Sequence, residues 1–188
     1  MCGVPLRTHL RQMCRKPSLT PIRFSAARKI FSGLAWRGRI EPSARAKILD
    51  LFSRMVVGWA LSAANDRHLA LRALEQALRR RCPEAGLLHH TDQGSSYASE
   101  DYQRVLAAHG ITCSMSRRGN AHDNAAMENW FSTMTFELGD RFETHAEAKT
   151  KLFDYIEVFY NQERRHSTLG YVSPAQFERA ARMEQAAA

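Results

Sequence analysis

The chain has 188 residues, of which 44% are hydrophobic and 24% charged, and its formal net charge is +8 at pH 7. This length suits one domain with a real hydrophobic core and a short additional segment. The longest mostly apolar run, residues 55–64, is too short to span a bilayer, and no signal-peptide pattern follows the basic residues near the start. We therefore expect a soluble, cytoplasmic protein with no membrane partner.

The positive charge is concentrated near the start of the chain. Residues 1–49 contain eleven Lys and Arg but a single acid, Glu41, whereas the remainder contains 16 basic and 18 acidic residues. Residues 1–47 also lack sustained helical or strand periodicity and are often interrupted by Pro and Gly. We expect a basic, poorly ordered arm over 1–47. Such an arm can contact phosphates non-specifically, which leaves a nucleic-acid-binding role open.

From residue 48 onward, apolar patterning predicts alternating strands and helices. The predicted order is a strand, turn and strand over 48–62, a helix over 66–81, a strand over 87–91, a helix from Ser99 to Gly110, a strand over 111–116, a polar loop over 117–124, and helices over 125–138, over 144–161 and from Pro174. Alternation of this kind predicts an α/β fold of three layers, in which helices flank a mixed sheet. Residues 181–188 are expected to form a tail.

Two carboxylates in the middle of the chain are candidates for metal chemistry. Asp92 follows a short apolar run and precedes Gly94, so we expect it at the exit of a buried strand. Glu128 falls in the first turn of the helix over 125–138, at the rim of its apolar stripe, and 35 residues lie between the two acids. Such residues can share Mg²⁺, which often takes one or two carboxylates together with water and phosphate. An ordinary solvated Glu128, favoured by the helix dipole, remains the alternative.

Four segments, in chain order, carry a resemblance to a known family: 49–61, 89–97 (His-His-Thr-Asp-Gln-Gly-Ser-Ser-Tyr), 116–128 (Ser-Arg-Arg-Gly-Asn-Ala-His-Asp-Asn-Ala-Ala-Met-Glu) and 160–177. They resemble the catalytic core of bacterial insertion-sequence transposases with a retroviral-integrase-type domain, the Asp, Asp-35-Glu group. The resemblance implies a ribonuclease-H-like fold. It also implies DNA integration and transposition by metal-dependent phosphodiester hydrolysis and strand transfer.

The same resemblance implies a site and its partners. Asp92 and Glu128 would be the catalytic residues and the metal ligands, with Mg²⁺ as the cofactor and Mn²⁺ as an alternative. The implied partners are DNA, as element ends and target, and either further copies of the chain or a full-length transposase.

The resemblance begins abruptly at Ile48, and the core is therefore expected over 48–180. Family members carry a strand with the first catalytic Asp before this point, whereas this chain has no Asp before Asp50. Asp50 itself is expected to cap a turn. We therefore expect the first strand to be missing or replaced, through truncation or a disrupted reading frame upstream. Loss of that ligand predicts a chain that is at best weakly active.

The doubtful activity keeps three other hypotheses open. The chain could be a non-catalytic regulator that binds DNA or joins the oligomer of an intact transposase. It could be a decayed remnant without a folded state. It could also be a ribonuclease-H-like nuclease, which cleavage of an RNA–DNA hybrid would distinguish from strand transfer.

Polar residues near the predicted site are candidates for DNA contacts. A polar loop beside Glu128 and a basic stretch before the last helix are expected to supply them, although a hydrogen-bonded turn would explain the second stretch equally well. His89, His90 and His122 are expected to pack or form hydrogen bonds, because no metal-binding spacing supports a ligand role. A metal ligand or proton shuttle among them is the alternative. The predicted DNA-binding residues are Arg117, Arg118, Asn120, Asn124, Arg164 and Arg165.

Overall fold

A computed structural model describes residues 29–34, 44–62, 67–92, 94–116, 125–139 and 142–187. Over these ranges, five strands form one sheet in the order β3-β2-β1-β4-β5. β1 pairs antiparallel with β2 and parallel with β4, and the outer pairs are β2 with β3, antiparallel, and β4 with β5, parallel. The mixed sheet is thus confirmed. Its strands are β1 (Lys29–Leu34), β2 (Ala44–Asp50), β3 (Val56–Ser62), β4 (Leu88–Thr91) and β5 (Thr112–Met115).

The helices follow the predicted order, with two differences in extent. A short helix precedes the one expected from Ser99, and the last helix continues through residues 181–187, where a tail was expected. The last major helix changes to a π-helical segment over Asp154–Tyr160, and a 3₁₀ turn spans Ser167–Leu169. The α-helices are α1 (Arg67–Arg81), α2 (Ser95–Ala98), α3 (Glu100–Ala108), α4 (Ala125–Leu138), α5 (His145–Phe153) and α6 (Pro174–Ala187).

Two apolar clusters, one on each face of the sheet, make the fold three-layered. Alternation along β2 divides its side chains between them, because successive residues of a strand point to opposite faces. Ala46 and Ile48 belong to the cluster formed with α1, α2 and α3, whereas Leu49 belongs to the cluster formed with α4, α5 and the π-helical segment. The predicted α/β fold, with helices on both faces, is confirmed.

β1 lies in the part of the chain that the family resemblance did not cover. Its sequence, Lys-Ile-Phe-Ser-Gly-Leu, does not alternate between polar and apolar residues, and β2 also begins before residue 48, at Ala44. A central strand is held by backbone hydrogen bonds to both neighbours, so it can form from a sequence with a weak pattern. A strand is therefore present before residue 48, at the centre of the sheet. Residues 1–28 lie outside the described ranges, and the division into arm, core and tail stays a prediction.

The hairpin of β2 and β3 packs closely on α1. A Cβ added to Gly58 would lie 2.2 Å from the carbonyl oxygen of Ala73, so only glycine permits this approach. In the turn, Asp50 Oδ1 accepts a hydrogen bond of 2.9 Å from the Phe52 N–H, which confirms its predicted turn-capping role. Within the described ranges, none of the helices is long and apolar enough to cross a membrane.

Candidate active site and adjoining cleft

Asp92 lies where the sequence placed it, directly after β4. Its Oδ1 accepts a hydrogen bond of 2.8 Å from the Gly94 N–H, which closes a short turn. A Cβ added to Gly94 would lie 2.8 Å from the same Oδ1 and 3.4 Å from the Tyr97 ring, so a larger residue here would displace the carboxylate. The half-buried carboxylate is thus held by one oxygen, and its Oδ2 has no hydrogen-bond partner within the described ranges. A fixed carboxylate with one oxygen left over suits a metal ligand.

The surroundings of Asp92 include a buried tyrosine. Tyr97 is 1% exposed, and its hydroxyl has no hydrogen-bond partner among the described residues. Burial, and then the charges of Tyr102 and Asp92, raise the pKa of Tyr97 well above its usual value, so the phenol keeps its proton.

The two histidines of β4 form hydrogen bonds, as predicted. His89 Nε2 lies 2.9 Å from the Tyr102 hydroxyl, and His90 Nδ1 lies 3.1 Å from Ser114 Oγ. Burial, together with the neighbouring His90, lowers the pKa of His89 to about 3, so this ring is neutral at physiological pH. Both rings are therefore engaged in the packing of β4 against its neighbours. His122 lies outside the described residues.

Glu128 is exposed in the first turn of α4, at the edge of a buried stripe that contains Met127, Trp130 and Met134. This stripe fixes how α4 is rotated on the sheet. α4 also contacts β1, the strand between β2 and β4. The two predicted catalytic residues thus lie on elements that adjoin the same strand, one at the end of β4 and one on α4. Their role as metal ligands stays a prediction.

β1 presents no acid beside this site. Ser32 pairs with Thr91 of β4 and with Ile48 of β2, so Gly33 is the next residue toward the level of Asp92. None of the six residues of β1 is acidic. Within the described ranges, no three His, Cys, Asp or Glu side chains are grouped closely enough to hold a metal ion. Within the described ranges, the predicted metal ligands thus stay at two, Asp92 and Glu128.

A cleft of about 650 Å³ opens beside the first two turns of α4. α4 contributes Ala126, Asn129 and Thr133 to one wall, and the opposite wall includes Arg54, Arg165 and Tyr171. Glu128 is two residues from Ala126, which is about 200° around a helix axis. The cleft and Glu128 therefore lie on opposite flanks of α4, with the buried stripe between them.

The two arginines of the predicted basic stretch have different environments. Arg164 Nε lies 2.8 and 3.0 Å from the carboxylate oxygens of Glu137, which also accepts a hydrogen bond of 2.8 Å from the Tyr155 hydroxyl. Arg165 is exposed, and no ion pair with a described residue holds it. Arg164 thus ties this stretch to α4, whereas Arg165 is available to a ligand. The other predicted DNA-binding residues, Arg117, Arg118, Asn120 and Asn124, lie outside the described ranges.

Two residues that the sequence analysis did not single out hold the hairpin turn in place. The Asn161 side chain forms hydrogen bonds with both backbone groups of Val56, and Ser53 Oγ donates a hydrogen bond of 2.6 Å to Glu178. In the sequence, Asn161 is only a polar residue next to Tyr160, and Glu178 is only an acid on the apolar face of the last helix. Neither feature indicates a buried contact with the hairpin. Their partners lie more than 100 residues away, so the sequence shows neither contact.

Comparison with known proteins agrees with this arrangement. Two family profiles, both described as "Integrase core domain", match residues 32–121 and 109–174. The catalytic core domain of BIV integrase has a TM-score of 0.60 at 14% sequence identity and covers 84% of this chain and 97% of that one. The HTLV-2 integrase catalytic core domain in complex with magnesium (trimeric form) has a TM-score of 0.53 at 14% identity, over 79% and 94% of the two chains. The protein therefore has the ribonuclease-H-like fold of integrase cores.

The sequence relatives are more specific. The transposase for insertion sequence element IS904 of Lactococcus lactis is 46% identical over 133 residues, which is 70% of this chain and 53% of the relative. The chain belongs to the proteins with an integrase core domain, and its sequence is similar to that of insertion-sequence transposases. It spans about half the length of the transposases that it matches.

Proposed function

We propose that this chain is the catalytic core of a transposase, which acts on DNA by metal-dependent phosphodiester hydrolysis and strand transfer. One observation carries the proposal: Asp92 is fixed by its own turn at the end of β4, with one oxygen unengaged, beside the strand that α4 also contacts. α4 bears Glu128, the other predicted catalytic acid. The similarity to insertion-sequence transposases supplies the substrate class.

Asp92 and Glu128 would hold Mg²⁺, or Mn²⁺ in its place. The fit rests on the donor set, because hard cations accept one or two carboxylates and take their remaining ligands from water and phosphate. A bound divalent ion would neutralise negative charge on the phosphate under attack. The Asp92 turn contributes a fixed carboxylate oxygen, and the packed α4 contributes a helix-borne one. The HTLV-2 integrase catalytic core domain, which has the same fold, has been solved in complex with magnesium.

The chain is expected to be impaired in this reaction. The strand beside Asp92 carries Ser32 and Gly33 but no acid, so a metal pair would lack a shared ligand. Loss of one group that acts with others typically lowers the rate by orders of magnitude. We therefore infer weak metal binding and slow nicking rather than efficient strand transfer.

Contacts to DNA would come from both flanks of α4. Arg117, Arg118, Asn120 and Asn124 precede α4 and would lie near Glu128, and Arg165, with Arg164 behind it, would contact phosphate at the cleft. The protein partner would be a further copy of the chain or a full-length transposase, because the part of this chain that matches covers only about half of each relative.

A direct test measures Mn²⁺ binding by electron paramagnetic resonance and nicking of labelled element-end DNA in Mn²⁺ or Mg²⁺. The chain should bind Mn²⁺ weakly, and Asp92→Asn and Glu128→Gln should each weaken that binding further. Glu84→Gln, at an exposed acid before β4, is the matched control and should leave Mn²⁺ binding unchanged. Equal binding by all four proteins would contradict the assignment.

The absence of an acid from β1 favours a second candidate function. Apolar clusters form on both faces of the sheet even though β1 offers no acid to a metal site. A folded core of this kind could bind element ends, or join the oligomer of an intact transposase, without catalysis. It would then compete with a full-length transposase for DNA and show no metal-dependent nicking, and it would inhibit strand transfer by that transposase.

A further inference from the structure

Two residues with an unfavourable backbone conformation lie on the wall of the cleft. Arg54 has φ 59° and Tyr171 has φ 61°, and neither is glycine. Large side chains rarely adopt this left-handed region, and a bulky residue found there is strained. Such strain persists where the surrounding structure imposes it, often at sites that bind ligands.

The residues on both sides of Arg54 hold its backbone in this conformation. Before it, Ser53 is fully buried and donates to Glu178; after it, the Met55 carbonyl accepts from the Asp50 N–H at 2.9 Å. One residue further on, Val56 is bound by Asn161 at 2.9 and 3.0 Å. The backbone at Arg54 is therefore pinned on either side, while its guanidinium faces the cleft.

Tyr171 is held in a similar way. Its N–H donates to the His166 carbonyl at 2.9 Å, and the His166 N–H donates to the Val172 carbonyl at 3.1 Å. The side chain nevertheless remains 71% exposed at the cleft. A hydrogen-bonded backbone thus presents a largely exposed aromatic ring at the cleft.

The charge of the cleft is positive. Arg54 and Arg165 supply it, and none of the described residues that line the cleft is acidic. Burial, followed by the charges of Arg164 and Arg54, lowers the pKa of His166 to about 4, so this ring is neutral at physiological pH. The cleft therefore offers two guanidinium groups, one neutral imidazole ring and one exposed aromatic ring.

We propose that this cleft binds an unpaired nucleotide at the end of a DNA strand, with the phosphate between Arg54 and Arg165 and the base stacked on Tyr171. The inference rests on the proposed action on DNA. Aromatic side chains stack on bases that are unpaired, whereas a duplex hides the base faces, and guanidinium groups bind phosphate in a forked geometry. A volume of about 650 Å³ falls within the range of pockets that enclose small ligands.

The position of the cleft suits a strand that continues to the carboxylates. The cleft and Glu128 lie on opposite flanks of α4, and a helix with its side chains is about 10–12 Å across. A single strand that passes around α4 would cover this distance in a few nucleotides. The cleft would thus hold one end of a frayed strand while a phosphate a few nucleotides away lies near Glu128.

The test measures DNA binding by fluorescence anisotropy in EDTA, so that its outcome does not depend on metal chemistry. The full chain is titrated against a blunt duplex and against the same duplex with a four-nucleotide single-stranded overhang. Tyr171→Asn removes the ring but tolerates a positive φ, and it should weaken binding to the overhang about tenfold without affecting the blunt duplex. Tyr171→Phe keeps the ring and should bind the overhang like the unchanged chain.

The charge contribution is tested by salt dependence. Arg54→Asn should lower the slope of log K against log salt by about 0.7 on the overhang, the value for one phosphate contact in a single strand. Arg72→Gln, at an exposed arginine of α1 on the other face of the sheet, is the matched control and should leave the slope of overhang binding unchanged. If the chain binds DNA but Tyr171→Asn and Arg54→Asn bind the overhang as well as it does, the cleft is not the site. If the chain binds neither DNA, the proposed action on DNA fails together with this inference.

Discussion

The ammonium nitrogen of Lys47 lies 3.2 Å from the centroid of the Trp130 indole ring and 4.2 Å from that of Phe131. Lys47 is a β2 residue that is 3% exposed, and its Nζ has no hydrogen-bond partner among the described residues. Burial lowers the pKa of this amine well below its usual value. A cation–π contact offsets only part of the cost of removing a charge from water.

The first prediction concerns the pH dependence of stability. The unfolded chain keeps the Lys47 proton up to about pH 10.4, whereas the folded chain releases it at lower pH. The unfolded state therefore binds more protons in between, and the free energy of unfolding should rise from pH 7 to 10. Lys47→Met should abolish most of this rise, as followed by urea denaturation at several pH values.

The same variant should also be more stable at neutral pH, by about 1–3 kcal/mol, because a buried ionisable group is replaced by an apolar one of similar length. Lys149→Met, at an exposed lysine of α5, is the control and should change stability by less than about 0.5 kcal/mol. A Lys47→Met protein that is less stable than the original at pH 7 would show that the amine is a net stabilising group.

A second prediction concerns the link between the hairpin turn and the π-helical segment. Asn161 Oδ1 accepts a hydrogen bond from the Val56 N–H, and its Nδ2 donates to the Val56 carbonyl. Asn161→Asp keeps the shape but loses the donor and buries a charge, so it should destabilise the fold by about 2–4 kcal/mol. Thermal unfolding measures this loss. Gln162→Glu, at the exposed neighbour, makes the same amide-to-acid change and should be nearly neutral.

The third prediction concerns α6. Glu178 is 3% exposed and binds Ser53, Arg81 and Arg182, the last at 3.6 Å. Glu178→Gln removes the closest negative charge from buried Arg81 and leaves Asp50, at 3.6 Å, as its acidic partner, so the change should cost about 2–3 kcal/mol. Hydrogen exchange should become faster over α6 and the hairpin turn together. Glu184→Gln, on the exposed end of the same helix, is the control and should leave hydrogen exchange unchanged. If Glu178→Gln also leaves exchange unchanged, α6 is held by its apolar contacts alone.

The sequence predicted elements best where local pattern and fold agree. α4 has the predicted bounds, 125–138, because its apolar stripe faces one cluster and polar residues flank it. β4 delivers Asp92 as expected, because a short apolar run followed by Gly94 permits few other structures. β1 was not recognised, since a strand paired on both sides depends on its neighbours more than on its own alternation.

Parts of the candidate site depend on contacts that no local pattern contains. Arg54 and Tyr171 adopt a conformation that sequence would assign to Gly or Asn, and distant hydrogen bonds impose it. Arg164 was predicted to contact DNA by its charge alone, but its partner Glu137 lies 27 residues away on another helix. Its role at DNA stays a prediction, with this ion pair as its starting point.

The fourth prediction follows from the register of β1. Ser32 pairs with Thr91, and Gly33 is the next residue toward Asp92. Neighbouring residues of a strand point to opposite faces, so an aspartate at only one of these two positions can share a metal ion with Asp92 and Glu128. Each substitution is therefore the matched control for the other.

The most direct measurement is nicking of labelled element-end DNA in Mg²⁺ by Ser32→Asp and by Gly33→Asp, beside the unchanged chain. One of the two variants should nick DNA at least about tenfold faster than the unchanged chain, because a third carboxylate completes the metal site. Adding Asp92→Asn to that variant should remove the gain. If both variants fold but neither gains activity, or if the gain survives the loss of Asp92, the claim that Asp92 and Glu128 hold the catalytic metal ions is contradicted.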